Sequence, residues 1–134
     1  MLEHVEKIVD ESGLLLVDIN LFQSGRRKVL RVLADKPGRI TLDECASLSR
    51  TIANTIDTLD LLDGAYTLEV SSPGIGRQLS TENDWIRSVG RNIEIKTETE
   101  EFESILTDYK NDFLTFENGR VIEPGCVLGA REAI

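Results

Sequence analysis

One histidine, one tryptophan, two cysteines and three prolines are all that these 134 residues hold of those types, and each scarcity excludes a class of chemistry. His4 stands in the first helical turn with no Ser or Cys at a telling distance. The patterns G-x-x-x-x-G-K-S/T, H-E-x-x-H and G-x-S-x-G are all missing, so an enzyme is not expected. Cys45 and Cys126 lie far apart without a C-x-x-C pair, which suggests two reduced, partly buried thiols, no disulfide, no metal site and no cofactor. Aromatic residues make up 5%, and no aromatic pair is placed on a strand as RNA-stacking platforms require. No apolar stretch approaches bilayer length, and Met1-Leu2-Glu3-His4 lacks the basic start of a signal peptide, so the expected location is cytoplasmic, with no membrane contact.

Positive charge is also short. Lys and Arg number 15 against 24 Asp and Glu, a net charge of −9, which opposes a simple nucleic-acid binder. The deficit is uneven: residues 1 to 80 carry nine basic and twelve acidic side chains, net −3, whereas residues 81 to 134 carry six and twelve, net −6. A solubilising surface explains such a bias. So does a surface that meets a strongly basic protein, where opposite potentials speed encounter and reject wrong partners. With 40% hydrophobic and 29% charged residues, the composition is that of a soluble globular protein with room for one ordinary domain or two small ones.

What is present has a readable order. Leu2, Val5, Ile8 and Val9 recur at helical spacing, so the chain opens with an amphipathic helix that ends near Gly13. Leu15, Val17, Ile19 and Leu21 then alternate with Leu16, Asp18, Asn20 and Phe22 as a strand, Ser24-Gly25-Arg26 is a turn, and Lys28 to Asp35 returns with Leu30, Val32 and Ala34 on one face. The hairpin tip gathers Arg26, Arg27 and Lys28, with Arg31 on the solvent side of the return strand; this is the only clustered basic patch. Thr41-Leu42-Asp43-Glu44 forms a capping box and opens a long helix whose buried stripe reads Leu42, Cys45, Ala46, Ser49, Ile52, Ala53, Ile56 and Leu59. Asp60 to Gly64 ends that helix before a strand begins at Tyr66. The order predicts an α+β protein whose first domain lays two helices on one face of a three-stranded sheet, KH-like in outline, with the other face wet.

Tyr66, Leu68 and Val70 alternate with Thr67, Glu69 and Ser71, and the strand has to end near Ser72 because Pro73 cannot donate to a ladder. Gly74 is expected at positive φ in a type II turn, and Gly76 adds a second permissive position. Arg77 then stands beside amides free of any ladder. A small anion-binding concavity is one reading of it; a solvated or carboxylate-paired guanidinium is the other. Gly74-Ile75-Gly76 is too short for a dinucleotide fingerprint and is not the G-x-x-G clamp of a KH domain. Composition changes beyond this turn, which marks a seam between domains at 1–79 and 80–134.

The second domain opens with a short capped helix, Ser80-Thr81-Glu82-Asn83-Asp84-Trp85 through about Ser88. Trp85 is expected to pack at the domain junction, with partner recognition as the other role. Five short strands follow, at 92–97, 102–109, 113–117, 120–122 and 126–128, with an Asn118-Gly119 hairpin turn; together they suggest a small barrel without exposed edges. Glu98, Glu100, Glu101 and Glu103 crowd the first hairpin as a solvated tip rather than a metal site.

Leu68-Glu69-Val70-Ser71-Ser72-Pro73-Gly74, followed by aliphatic Ile75, small Gly76 and Arg77, resembles the signature of the bacterial ribosome maturation factor RimP family. The resemblance runs from the first helix through the hairpin and the long helix opened by Asp43-Glu44-Cys45, and weakens in the last third. Gly76 and Gln78 stand where the family often has Asp and Pro. It implies an N-terminal α/β domain followed by an Sm-like (Src-homology-3-type) small β-barrel. It also implies a non-enzymatic role in late assembly of the small ribosomal subunit, binding the free subunit precursor and assisting entry of the basic small-subunit ribosomal protein twelve; separately from the resemblance, a monomer is expected. On this reading the acidic barrel receives the basic protein, Arg26, Arg27, Lys28 and Arg77 meet ribosomal RNA phosphates, and the turn of Ser71, Ser72, Pro73 and Gly74 sets the angle between domains. The alternative is an RNA-binding adaptor acting through its N-terminal domain, which would hold naked RNA and lose affinity steeply with salt.

Overall fold

A hairpin stands at the centre of the N-terminal half in the computed structural model, which describes residues 1–133. Helix α1 (Leu2–Glu11) turns Val5 and Val9 inward, and strands β1 (Leu15–Ser24) and β2 (Arg27–Asp35) follow as an antiparallel pair. Helix α2 (Leu42–Leu59) carries the chain back so that β3 (Tyr66–Ser71) pairs with β2 in parallel, giving the order β1-β2-β3. Parallel neighbours cannot be joined by a tight turn, and the 18-residue α2 is the crossover that geometry demands. Val5 and Val9 of α1 and Leu48, Ile52 and Ile56 of α2 meet Leu30, Val32 and Ala34 of β2 in one buried cluster.

Helix α2 begins where its capping box puts it. Thr41 Oγ1 accepts from the Glu44 N–H at 3.1 Å, and the Glu44 carboxylate accepts from the Thr41 N–H at 3.0 Å. Lys36 reaches the same carboxylate at 2.9 Å. That bond first, and the Thr41 N–H second, hold the Glu44 carboxyl below the usual carboxylate range.

Three features of this unit depart from simple periodicity. Leu42 is 89% exposed, because the first turn of α2 is anchored by its cap, and Leu59 at the other end of the helix is exposed too; the buried stripe is Leu48, Ile52 and Ile56, one residue every four. In β1 a bulge between Leu16 and Asp18 inserts Val17, which reverses the alternation, so that Leu16 and Ile19 both pack on the core; Leu21, on the same face as Ile19 but near the hairpin end of this edge strand, is exposed. The face expected to be wet is partly dry. Val29, set between Phe22 and Thr67 in a cross-strand row, keeps only 8% exposure, and the Arg31 guanidinium lies 5.1 Å over the Phe22 ring.

The chain divides into two units, Met1–Pro73 and Gly74–Ile134. Residues 74–79 go with the second: Leu79 lies in its core and donates its N–H to the Ala130 carbonyl at 2.8 Å. This unit contains α3 (Glu82–Ser88), β4 (Asn92–Lys96), β5 (Glu101–Lys110), β6 (Phe113–Phe116), β7 (Val121–Ile122) and β8 (Gly129–Glu132), with a 3-10 turn at Pro124–Cys126. The strands form one antiparallel sheet in the order β7-β6-β5-β4-β8.

Trp85, 3% exposed, packs with Ile93, Ile95, Leu106 and Phe116 in this core. The expected barrel is not closed. Its sheet ends at β7 and β8, because β7 is only two residues long and Pro124 has no N–H to extend a ladder. The strand expected at 126–128 is likewise displaced: Cys126 ends the 3-10 turn, and the pairing resumes at Gly129, where Ala130 and Glu132 alternate inward.

Candidate functional site

The basic cluster sits on a two-residue turn that Gly25 makes possible at φ +62. Arg26 projects from it into solvent. Arg27 is held in place: its Nε donates to Thr67 Oγ1 at 2.6 Å and its Nη2 to the Tyr66 carbonyl at 3.2 Å. Both acceptors are neutral, so the side chain is oriented without losing its charge. Lys28 is half-buried between its strand partners Gln23 and Tyr66. Arg31 differs, since Glu69 accepts from its Nε at 2.9 Å and offsets its charge. The usable positive charge at this end is therefore that of Arg26, Arg27 and Lys28.

The second group of candidates lies elsewhere. Ser71 ends β3 opposite Leu33, whereas Lys28 pairs with Tyr66. Five register steps at ~3.3 Å separate them, roughly 16 Å along the sheet, so Ser71, Ser72 and Pro73 stand at the opposite end from the hairpin tip. Gly74 and Arg77 belong to the second unit. The type II turn centred on Pro73 and Gly74 does not form. Neither Gly74 nor Gly76 has positive φ, and the turn closes two residues later, where the Arg77 N–H donates to the Gly74 carbonyl at 3.3 Å. A Cβ built on Gly74 or Gly76 would meet nothing within 4 Å. Both glycines are exposed, Pro73 is half-buried, and so is Arg77.

Acidic groups dominate the second unit, and several are tied down. Glu94 accepts from Arg131 at 2.7 Å, Glu103 accepts from Asn92 at 2.9 Å, and Glu100 holds Arg120 through both carboxylate oxygens. Among the described residues no group of three His, Cys, Asp or Glu side chains is placed to hold a metal ion. Asp84 and Arg87 form a buried pair at 3.1 Å. Burial alone would raise the Asp84 carboxyl, but the N–H groups of Ser80 and Thr81 and then the Arg87 guanidinium outweigh it and hold the group below its ordinary value.

One surface here escaped the sequence reading. Phe113, Val121 and Leu128 are exposed by 43%, 58% and 59%, and they line one hollow of about 570 Å³ together with Glu98, Glu100 and Glu123. A signal existed for Phe113: with Leu114 and Phe116 buried, strand alternation sends it outward. Nothing comparable marks Leu128, which lies between the 3-10 turn and β8.

Among the described residues no helix is long and apolar enough to cross a membrane. Residues 4–76, more than half of the chain, match the family model described as the RimP N-terminal domain. That span takes in α1 from its third residue, the hairpin, the capped crossover helix, β3 and the chain through Gly76. The chain belongs to the RimP family of ribosome maturation factors.

Proposed function

We propose that this protein acts in the cytoplasm, without catalysis, in late assembly of the small ribosomal subunit, binding the free subunit and assisting incorporation of the basic small-subunit ribosomal protein twelve. Family membership supplies the ribosomal setting. The observation that carries the client reading is the division of charge, with −6 on residues 81–134 and the oriented cluster of Arg26, Arg27 and Lys28 on the first unit. An acidic surface speeds encounter with a cationic protein and screens charge that would otherwise bind RNA unselectively. The hairpin cluster supplies the phosphate contact that so acidic a chain otherwise lacks. Ser71, Ser72 and Pro73 on the first unit and Gly74 and Arg77 on the second are the further residues assigned to binding the partner or its RNA.

Co-sedimentation with small subunits, large subunits and assembled ribosomes at two salt concentrations tests this, together with capture of the purified basic protein in the absence of RNA. Selective recovery with small subunits and RNA-independent capture are expected. Tight retention of bare RNA with a steep salt slope, and indifference to the basic protein, would establish the RNA-binding adaptor instead.

A further inference from the structure

Two adjoining hollows of about 570 and 480 Å³ in the second unit share Phe113, Glu123 and Gly125 and form a trough from the Thr97–Glu100 turn to the start of α3. Its walls hold five carboxylates, Glu82, Glu98, Glu100, Asp112 and Glu123, and no lysine or arginine. Only Glu100 is met by a cation, Arg120; among the described residues the other four have no ion pair. The negative field is felt at Tyr109 in the same wall, whose hydroxyl is pushed up by burial first and then by Glu82 and Asp112. Phe113, Val121 and Leu128 stand exposed between these acids. Contiguous apolar side chains rimmed by charge of one sign mark an interaction surface.

We infer that this trough seats an extended polypeptide segment in which Lys or Arg alternates with apolar residues. Successive side chains of an extended chain point to opposite sides. Apolar residues therefore reach Phe113 and Leu128 while the basic heads reach Glu82, Glu98, Asp112 and Glu123, and lysine stems add apolar contact of their own. Phosphate is repelled by the same carboxylates, which rules a nucleic acid out of this site. The inference deepens the client-binding reading and rests on it.

The chain carries its own reporter. Cys126 is exposed in the trough wall, whereas Cys45 of the first unit is half-buried and its thiol is pushed up by burial and by the charges of Glu44 and Asp35, so Cys126 alkylates first. The experiment titrates the full-length protein with a synthetic Lys-Val alternating peptide, its Glu-for-Lys counterpart and the purified basic ribosomal protein, following peptide anisotropy and the rate of maleimide labelling at Cys126. The basic peptide and the protein are expected to bind and to slow labelling, and the acidic peptide to do neither. Glu98→Lys with Glu123→Lys should weaken binding by roughly tenfold or more. Leu128→Ser should weaken it with the salt dependence unchanged. All three residues are at the surface, and a parental urea transition followed at Trp85 confirms folding. If the basic protein binds parent and charge-reversed chains alike and leaves Cys126 labelling untouched, the trough is wrong and the client reading stands. If neither peptide nor protein binds, both fall.

Discussion

Replacing Asp84 by Ala tests how the small second unit is held together. The carboxylate accepts from the Ser80 and Thr81 N–H groups at 2.9 and 3.0 Å and pairs with Arg87, and both charged side chains are almost wholly buried. Removing it takes one charged partner from Arg87 inside the fold and deprives the start of α3 of its acceptor. Breaking one side of a buried pair costs about 3–5 kcal/mol, a range that already includes much of the lost capping. At ~0.05–0.15 kcal/mol per residue, a unit spanning Gly74–Ile134 has about 3–9 kcal/mol of stability, so the loss should remove at least about a third of it. The assay is urea unfolding followed by Trp85 emission, because the single tryptophan lies in this unit's core and reports on it alone. A loss under about 1 kcal/mol with an unchanged urea slope would refute the reasoning. The double change Asp84→Leu with Arg87→Met should be milder than Asp84→Ala, since it removes both members of the pair together. Acid provides an independent check. A carboxyl held below its unfolded value contributes stability that is complete above about pH 4 and disappears as the pH falls toward the depressed folded value. Asp84→Asn should remove that acid-sensitive part.

Changing Arg26, Arg27 and Lys28 together to Ala should weaken small-subunit binding and flatten its dependence on salt by about one unit of log–log slope for each phosphate no longer neutralised; a parental slope would reduce the patch to a solvated hairpin. Gly74→Ala should change stability by no more than ~0.5 kcal/mol, since its backbone is unstrained and its surroundings open. Gly119→Ala, by contrast, at φ +89 in the hairpin turn, should cost about 1 kcal/mol or more by urea titration. Thr41→Ala removes the reciprocal cap of α2 and should cost the first unit about 1 kcal/mol, read from the loss of helical circular dichroism in urea.

Local chemistry was legible from the sequence wherever a side chain binds its own neighbourhood. Thr41 with Glu44 marks the start of a helix to within a residue, and Leu30, Val32 and Ala34 mark the buried face of β2. Legibility failed where a tertiary partner chooses between local options that are equally good. The apolar run from Leu14 to Val17 suits either face of a strand, and only pairing with β2 puts a bulge there. Leu42 fits a buried stripe by spacing, yet its turn of α2 is fixed by hydrogen bonds. Ser-Pro-Gly has the residues of a type II turn, but the turn forms over Gly74–Arg77. Of the candidate site, the basic hairpin tip was visible as a run in sequence. The trough was not, because Glu82, Asp112 and Glu123 belong to three separate segments and their nearness is a product of folding alone.

The parallel ladder from Lys28–Tyr66 to Leu33–Ser71 bears on how the chain is made. Synthesis delivers the N-terminal segments first. While α2 and the loop after it are still emerging, one rim of β2 stays unzipped, waiting for a strand that arrives some forty residues later. The second unit repeats the arrangement, with β4 waiting for β8. In each half the final strand covers the rim of an apolar central strand, so a nascent chain halted within α2 or before Gly129 would display β2 or β4, with its buried aliphatic side chains, as an edge. A stalled product is therefore exposed to self-association, or to capture by a chaperone, in a way the finished molecule is not.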